Sequence, residues 1–390
     1  MVLDQEKLLK FDLLAQTDLA ALAKTYGIYK QINEIKVLHS LIVEMPSFPR
    51  VPDIVLRNEK IRAVGSTTAI EGNTLTQEQI QKAFDKADKS YALNRLEQEV
   101  QNSREVFDFL VNDIYIKDMS DLSLELLRQI HKITTKEIPH PSNRPGLIRT
   151  GQVSFGEPSL PSLFPDQASV EKAVNKFILW FNKKDGGFDR EPVLRALMAH
   201  YYLSEIHPFF DGNGRTTRAV EAFALLTGKV IHPNFFYLLA NFWAGDRDKY
   251  LAMLRNVRET GDATEFVRYG LLGLIRELEY VKEMVVLKMT KLMYMDYVHY
   301  LHREKKKKPS IVTSRMVDLL QLLVDAGEVN EKEFFATPQV RGLYKSFNES
   351  TRWRDLKKMV ENELVISREV SGTIKISANL GLLAGLTYKV

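Results

Sequence analysis

The sequence predicts a mainly α-helical protein with one β-hairpin near its middle and a small helix-and-hairpin domain at its C-terminal end. Three observations carry that expectation. Apolar residues recur at helical spacing through 76–112, 121–136, 168–184, 192–206, 214–227 and 263–304. One segment, Pro145 to Gly156, breaks this period with an alternating apolar and polar run between glycines, which reads as a β-hairpin. Beyond a run of four lysines at Lys305–Lys308 the pattern restarts as short helices, 313–325, 331–336, 339–347 and 350–362, then as strands near 364–368 and 373–377 with Gly372 turning between them.

The individual elements follow from local chemistry. Pro192 suits the first turn of a helix. That helix would turn Leu194, Leu197, Tyr201 and Ile206 toward the core and stop at His207, because Pro208 disfavours helical geometry in the residue before it. A new helix starts near Gly214 and ends at Gly228, a natural C-terminal cap. Pro158, Pro161 and Pro165 mark a loop after the hairpin. The expected domains are an N-terminal helical region over 1–110, a core with trailing helices over 111–304, and a C-terminal domain over 305–390.

Composition narrows the class. The chain has 390 residues, 45% apolar and 27% charged, as in ordinary globular proteins, and a net charge of +4 that is too small to mark the whole chain as a nucleic-acid binder. It has no cysteine, which excludes disulfides, thiol catalysis and thiolate metal sites. No basic start followed by an apolar run opens the sequence, and no stretch approaches the ~18 apolar residues of a membrane span. The expectation is a cytoplasmic protein that does not enter a membrane.

The most informative segment is His207-Pro208-Phe209-Phe210-Asp211-Gly212-Asn213-Gly214-Arg215-Thr216-Thr217-Arg218. Gly212 and Gly214 allow a tight turn that feeds a helix N-terminus, where outward amides and the helix dipole favour an anion. Arg215 and Arg218, three apart, share a helix face and offer guanidinium forks suited to phosphates. Asp211 is a hard oxygen ligand suited to phosphate-bound Mg²⁺. His207, with an ordinary pKa of about 6.5, is a general base near neutrality. Zinc is not favoured, since no cysteine or second histidine lies nearby. Taken singly, each feature is more often a turn or a solvated face. Within twelve contiguous residues they describe phosphoryl or nucleotidyl transfer.

That segment resembles the Fic motif, HPFxDGNGRxxR, at every fixed position. Similarity extends to GLIRTGQVSFG upstream and AGDRDKYLAMLRNVRETGD downstream, over roughly 55–275. The resemblance implies a Fic-type helical bundle with a β-hairpin flap, and a protein adenylyltransferase. His207 would deprotonate a Ser, Thr or Tyr hydroxyl of a target protein, which attacks the α-phosphate of ATP. Asp211 would hold Mg²⁺. Gly212, Asn213, Gly214, Thr216 and Thr217 line the phosphate cradle, Arg215 and Arg218 take the β- and γ-phosphates, and Tyr250 matches a position that often contacts the nucleoside. Val153, Ser154, Phe155 and Gly156 correspond to the flap that aligns the target by strand addition. Thr217 stands where many members carry glycine or serine. Removal of AMP, or transfer of another phosphate-containing group, stays open as an alternative. So does a reading from another class, a nucleotide-sensing DNA-binding regulator.

Upstream, Ser66-Thr67-Thr68-Ala69-Ile70-Glu71-Gly72-Asn73 resembles the family's inhibitory motif, [S/T]xxxE[G/N], with Thr67, Glu71 and Gly72 in the matching places. A carboxylate set against Arg218 would occupy the partner of the γ-phosphate. Read alone, the same residues are an ordinary helix end capped by Gly72.

The C-terminal elements resemble a winged-helix domain. Residues 305–390 carry 15 Lys and Arg against 10 Asp and Glu, and four of those positives are the lysine run. The folded part is therefore near neutral, and Arg352, Arg354, Lys357 and Lys358 on helix 350–362 read as a solvated face before a DNA-reading one. Protein targets are the expected partners. A homo-oligomer is open, and nucleic acid is open but not favoured.

Overall fold

A computed structural model describes residues 3–14, 27–45, 51–86, 94–156, 159–183, 191–229, 231–303 and 312–382. The lysine run, Pro309 and Pro158 lie outside the described residues. Described residues fall into two compact units. Those up to Glu283, Val51 apart, form the first, and those from Met284 form the second.

In the first unit the helices are α1 (Gln5–Leu8), α2 (Ile28–Glu44), α3 (Val51–Ala69), α4 (Gln77–Asp85), α5 (Arg95–Phe109), α6 (Leu124–Thr134), α7 (Gln167–Asn182), α8 (Pro192–Ile206), α9 (Asn213–Thr227), α10 (Leu239–Gly245), α11 (Arg247–Thr260) and α12 (Thr264–Arg303). α8 and α9 are buried on nearly every face and pack against each other at the centre. That burial explains their near-continuous apolar runs. α6 packs on α9 and α7 on α8. Pro192 takes the first helical position of α8.

The expected single helix over 76–112 is two helices. Thr76 and Asn94 each close a capping box, with Gln79 and Glu97, and so start separate helices. α5 then widens into a π-turn over Leu110–Tyr115, closed by the Ile116 N–H on the Val111 carbonyl. The hairpin is also displaced from its expected place. Strand β1 is Ser154–Phe155 and its partner β2 is Leu160–Pro161, which lies in the proline-bearing stretch read as loop. Proline is tolerated there because a two-stranded ribbon has only edges. Pro145 to Gln152 forms no strand, and within it the Arg149 N–H bonds the Pro208 carbonyl instead of a strand partner.

α3 ends in a Schellman arrangement. The Asn73 N–H bonds the Thr68 carbonyl at 3.2 Å, the Gly72 N–H bonds the Ala69 carbonyl at 2.9 Å, and Gly72 is left-handed at φ +91°. This geometry projects Glu71 from the helix end. Asn73 then fastens the segment to α5, donating to the Leu96 carbonyl (2.9 Å) and to Glu99 (3.0 Å).

The second unit contains the end of α12, then α13 (Ser314–Ala326), β3 (Val329–Asn330), α14 (Glu331–Ala336), α15 (Pro338–Leu343), α16 (Glu349–Glu361), β4 (Val365–Val370) and β5 (Thr373–Ala378). The strands form an antiparallel sheet in the order β3–β5–β4. The two-residue strand β3 was not legible as a strand, and the helix expected over 339–347 stops at Leu343 in a turn. Ser371 and Gly372 both have positive φ, as a tight hairpin turn of this length requires. The unit has its own core, including Tyr294, Val298, Leu320, Met359 and Ile376. Among the described residues no helix is long and apolar enough to cross a membrane.

Candidate active site

The loop between α8 and α9 is held by side chains on every side. α8 stops at His207, which is left-handed (φ 49°, ψ 62°), an uncommon conformation for a residue with a side chain. Arg149 holds it there. This fully buried guanidinium donates from Nε to the His207 carbonyl (2.7 Å), from Nη1 to the Gly151 carbonyl (2.6 Å) and from Nη2 to Ser162 Oγ (2.7 Å). Its backbone N–H takes the Pro208 carbonyl at 2.9 Å. Burial lowers the Arg149 pKa to about 10, so it stays charged at neutral pH.

Phe209 is buried and stacks on His131, with ring centroids 3.6 Å apart. The Gly146 N–H donates to His131 Nδ1 at 2.8 Å, so the ring proton sits on Nε2 and is donated to the Asp211 carbonyl at 2.9 Å. Burial holds this imidazole neutral, with a pKa of about 4. Asn213 clasps the turn from inside. Its Oδ1 accepts the Phe209 N–H (2.9 Å) and its Nδ2 donates to the Phe209 carbonyl (2.7 Å). Gly212 is left-handed at φ +73°, and a Cβ on it would overlap the Thr135 methyl.

The loop opens onto a cavity of about 220 Å³. His207, Asn213, Gly214, Thr217, Arg218 and Tyr250 line it, together with Phe155 and Gly156 of the hairpin and Glu71 of the α3 end. Asp211, Gly212, Arg215 and Thr216 lie outside the lining of this cavity. Glu71 lies over the N-terminus of α9, where a Cβ on Gly214 would overlap its Oε1. Its carboxylate accepts from Arg218 Nη2 at 2.7 Å. Thr67 completes the grip, accepting from Arg218 Nε at Oγ1 (2.8 Å) and from Nη2 at its carbonyl (2.9 Å). The Arg247 Nε bonds the Ile70 carbonyl at 2.9 Å and ties α11 to the same helix end. Burial pushes the Glu71 carboxyl upward. The charge and hydrogen bond of Arg218, backed by Arg215 and His207, outweigh it and hold the carboxyl below the usual range. The Glu71 side chain still keeps 36% of its surface open, because it faces the cavity.

His207 Nδ1 lies 3.2 Å from the Ser204 carbonyl, which can only accept, so Nδ1 carries the proton and Nε2 keeps a free lone pair. The ring stacks on Phe155 with centroids 4.0 Å apart. Burial lowers its pKa to about 4. Arg258 braces the hairpin behind Phe155, with its guanidinium 5.7 Å from that ring and a 2.6 Å bond to the Pro161 carbonyl. Val153 joins the ribbon by accepting the Ser162 N–H at 2.8 Å.

Asp211 Oδ2 is buried with no hydrogen-bond partner, and so are the Thr216 and Thr217 hydroxyls. Arg215 is buried 3.8 Å from Glu99 Oε1, and its Nε and Nη1 make no hydrogen bond. A buried carboxylate oxygen with no hydrogen-bond partner suits one protein ligand to a hard cation whose other ligands come from phosphates. Among the described residues no group of three or more His, Cys, Asp or Glu could cage a metal by itself.

Several site residues escaped the sequence. Arg149 lay in a stretch noted for likeness, but nothing marks a buried arginine in sequence. His131 reads as one more position on an apolar helix face. Glu205 lines the cavity, where burial raises its carboxyl to about 7 despite Arg258 at 3.6 Å.

A mostly helical bundle in which a helix, a glycine-bearing turn and a second helix enclose an anion-suited pocket is a recognisable class. Residues 121–225 match the model of the Fic/DOC family. This chain is 30% identical over 204 residues to a protein adenylyltransferase Fic of Nematostella vectensis, covering 52% of this chain and 44% of that protein. It is 29% identical over 225 residues to the protein adenylyltransferase fic-1 of Caenorhabditis elegans, covering 55% and 40%. The chain thus spans under half the length of these curated relatives. Its fold is similar to that of a Fic family protein from Desulfovibrio desulfuricans (TM-score 0.54, 22% identity, 90% and 94% of the two chains). It is also similar to a solved part of C. elegans Fic-1 (TM-score 0.53, 23% identity, 71% and 80%).

Arg149→Met is expected to cost about 3 kcal/mol in chemical denaturation, because it strands several buried acceptors at the His207 turn. A loss under about 0.5 kcal/mol would show that the turn holds its shape without Arg149.

Proposed function

We infer that the chain is a protein adenylyltransferase that moves AMP from ATP to a hydroxyl side chain of a target protein, and that Glu71 keeps it inactive. One observation carries the reading: a neutral imidazole with a free Nε2 faces the same cavity as a helix N-terminus and a buried guanidinium. An imidazole in that state accepts a proton. The target hydroxyl would give its proton to His207 Nε2 while its oxygen forms a bond to the α-phosphorus. The bond from that phosphorus to the bridging oxygen of the β-phosphate breaks, and pyrophosphate leaves with the electron pair. The amides at the start of α9, with Arg218 and Arg215, would bear the charge of the β- and γ-phosphates. Asp211, through its unpartnered Oδ2, would hold the Mg²⁺ that neutralises the triphosphate. The β1–β2 ribbon offers unpaired edges to which an extended target segment can add, bringing its hydroxyl to the imidazole under Phe155.

Glu71 supports the brake because it sits on the charges that a γ-phosphate needs. A carboxylate 2.7 Å from Arg218 and over Gly214 leaves ATP only a displaced pose. The same carboxylate is suited to orienting water for removal of AMP, which stays the alternative. A second copy of the chain is an eligible target. Cytoplasmic residence accords with a chain that uses no cysteine. The element order of the second unit favours a winged-helix reading. There Arg352 pairs with Glu349, and Lys357 lies 3.8 Å from Glu361, so part of the positive charge of α16 is already matched. That favours a protein contact over nucleic acid.

Glu71→Gly is expected to raise labelling of protein from α-labelled Mg-ATP by tenfold or more, on the order of one lost charge-assisted contact. Equal labelling by wild type and variant would remove the brake. His207→Ala should lose transfer by at least about 10²-fold while binding ATP normally, and transfer at the normal rate would assign the base elsewhere. The pH profile separates His207 from a solvent-exposed histidine. With a pKa near 4 the ring stays unprotonated between pH 4 and 6.5, so kcat/KM of Glu71→Gly should hold as pH falls through 6.5 and decline only toward 4. A half-loss centred at 6.5 contradicts this placement of the imidazole.

A further inference from the structure

Behind Arg218 a set of buried polar side chains runs through the core and returns to the helix it left. Arg218 and Tyr250 line the same cavity, and the charge of one acts on the hydroxyl of the other. That hydroxyl lies 2.9 Å from His200 Nε2. His200 Nδ1 is 3.1 Å from Glu221 Oε1, and Trp243 Nε1 donates to Glu221 Oε2 at 3.1 Å. Arg218 and Glu221 are three apart on α9, Tyr250 is on α11, His200 on α8 and Trp243 on α10. His200 and Trp243 are wholly buried, and Glu221 nearly so.

The polarity of this ring is fixed by its carboxylate. A bare Nδ1 lone pair 3.1 Å from Glu221 would be repelled, so Nδ1 bears the proton, although the contact is bent away from the in-line approach. With the Nδ1 proton toward Glu221, Nε2 is set to accept the Tyr250 O–H. The tyrosine oxygen is left with its lone pairs toward Arg218, which has only protons to offer. Apolar side chains would fill this volume at lower cost, so four buried polar groups in one connected set point to a task beyond packing.

We propose that Tyr250, oriented by His200 and Glu221, is the positioning residue that keeps Arg218 aimed at the phosphates once Glu71 has let it go. The proposal rests on the adenylyl-transfer reading for what Arg218 binds. Glu71 and Thr67 both belong to the end of α3, and a displacement of that end weakens both holds at once. Tyr250 stands on α11 and does not depend on it. A nucleoside contact, the role expected of Tyr250 from sequence, makes a different demand on the same hydroxyl.

The test uses the full chain carrying Glu71→Gly, with and without Tyr250→Phe, and measures binding of Mg-ATP and of AMP by calorimetry alongside transfer from labelled ATP. Loss of the hydroxyl should weaken ATP by roughly tenfold and slow transfer at saturating ATP by a similar factor. AMP, which has no β- or γ-phosphate, should bind as before. Glu221→Gln keeps the shape and frees the imidazole proton to move, so it should reproduce the selective loss in weaker form. Equal weakening of ATP and AMP assigns Tyr250 to the nucleoside or to packing and overturns the proposal. So does unchanged ATP binding, or no nucleotide binding at all. Selective weakening of ATP without transfer by any variant would uphold the positioning role and refute adenylyl transfer instead.

Discussion

The pocket turns on where the Arg218 guanidinium finds its negative charge. A buried cation without a partner is costly, and the cost is met here by a carboxylate 2.7 Å away and by two oxygens of Thr67. That need makes the α3 end and the α9 start a single structure, although about 150 residues of chain separate them. On the adenylyl-transfer reading it also makes the site exchangeable. A group that wants one anion at that position will take another, and a triphosphate supplies more charge than Glu71 does. On the adenylyl-transfer reading, inhibition and substrate binding are two ways of satisfying the same buried charge.

The rest of the first unit serves to hold still what surrounds this charge. The turn from His207 to Gly212 passes through left-handed backbone at both ends and is braced from three directions, by Arg149, His131 and the Asn213 amide. Such bracing is what catalytic geometry requires, because groups that must reorganise during reaction lose much of their effect. Phe155 stacks on the imidazole, and burial, more than any neighbouring charge, lowers the pKa of His207. The hairpin is thus also part of the setting of His207, and Arg258 connects it to α11.

How much was legible depended on whether the information was contiguous. The twelve-residue motif carried its own geometry: Pro208 ends a helix, Gly212 turns the chain and the next helix begins at Asn213, all by local rules. The Glu71 segment was legible as a helix end, and Gly72 does cap α3. The hairpin was legible in kind and not in register. Alternation pointed to Pro145 to Gly156, but Arg149 draws that stretch into the core, and β1 pairs with a segment whose prolines argued for a loop. α4 and α5 read as one helix because apolar residues recur at helical spacing through both, and the caps at Thr76 and Asn94 are weaker signals than the apolar period.

By itself the sequence determined a mostly helical chain, the turn between two buried helices, the chemistry of its imidazole, acid and guanidiniums, and a glutamate at a helix end far upstream. These are properties of neighbours in sequence, set by backbone preference and side-chain type. Only the tertiary structure decided that Glu71 meets Arg218, that Asn213 spends its amide on the turn, and that Tyr250 joins a buried circuit with His200 and Glu221. Those outcomes depend on which helices pack together. Packing is settled by the burial of apolar faces over the whole unit, and no local stretch encodes what lies on the other side of a helix.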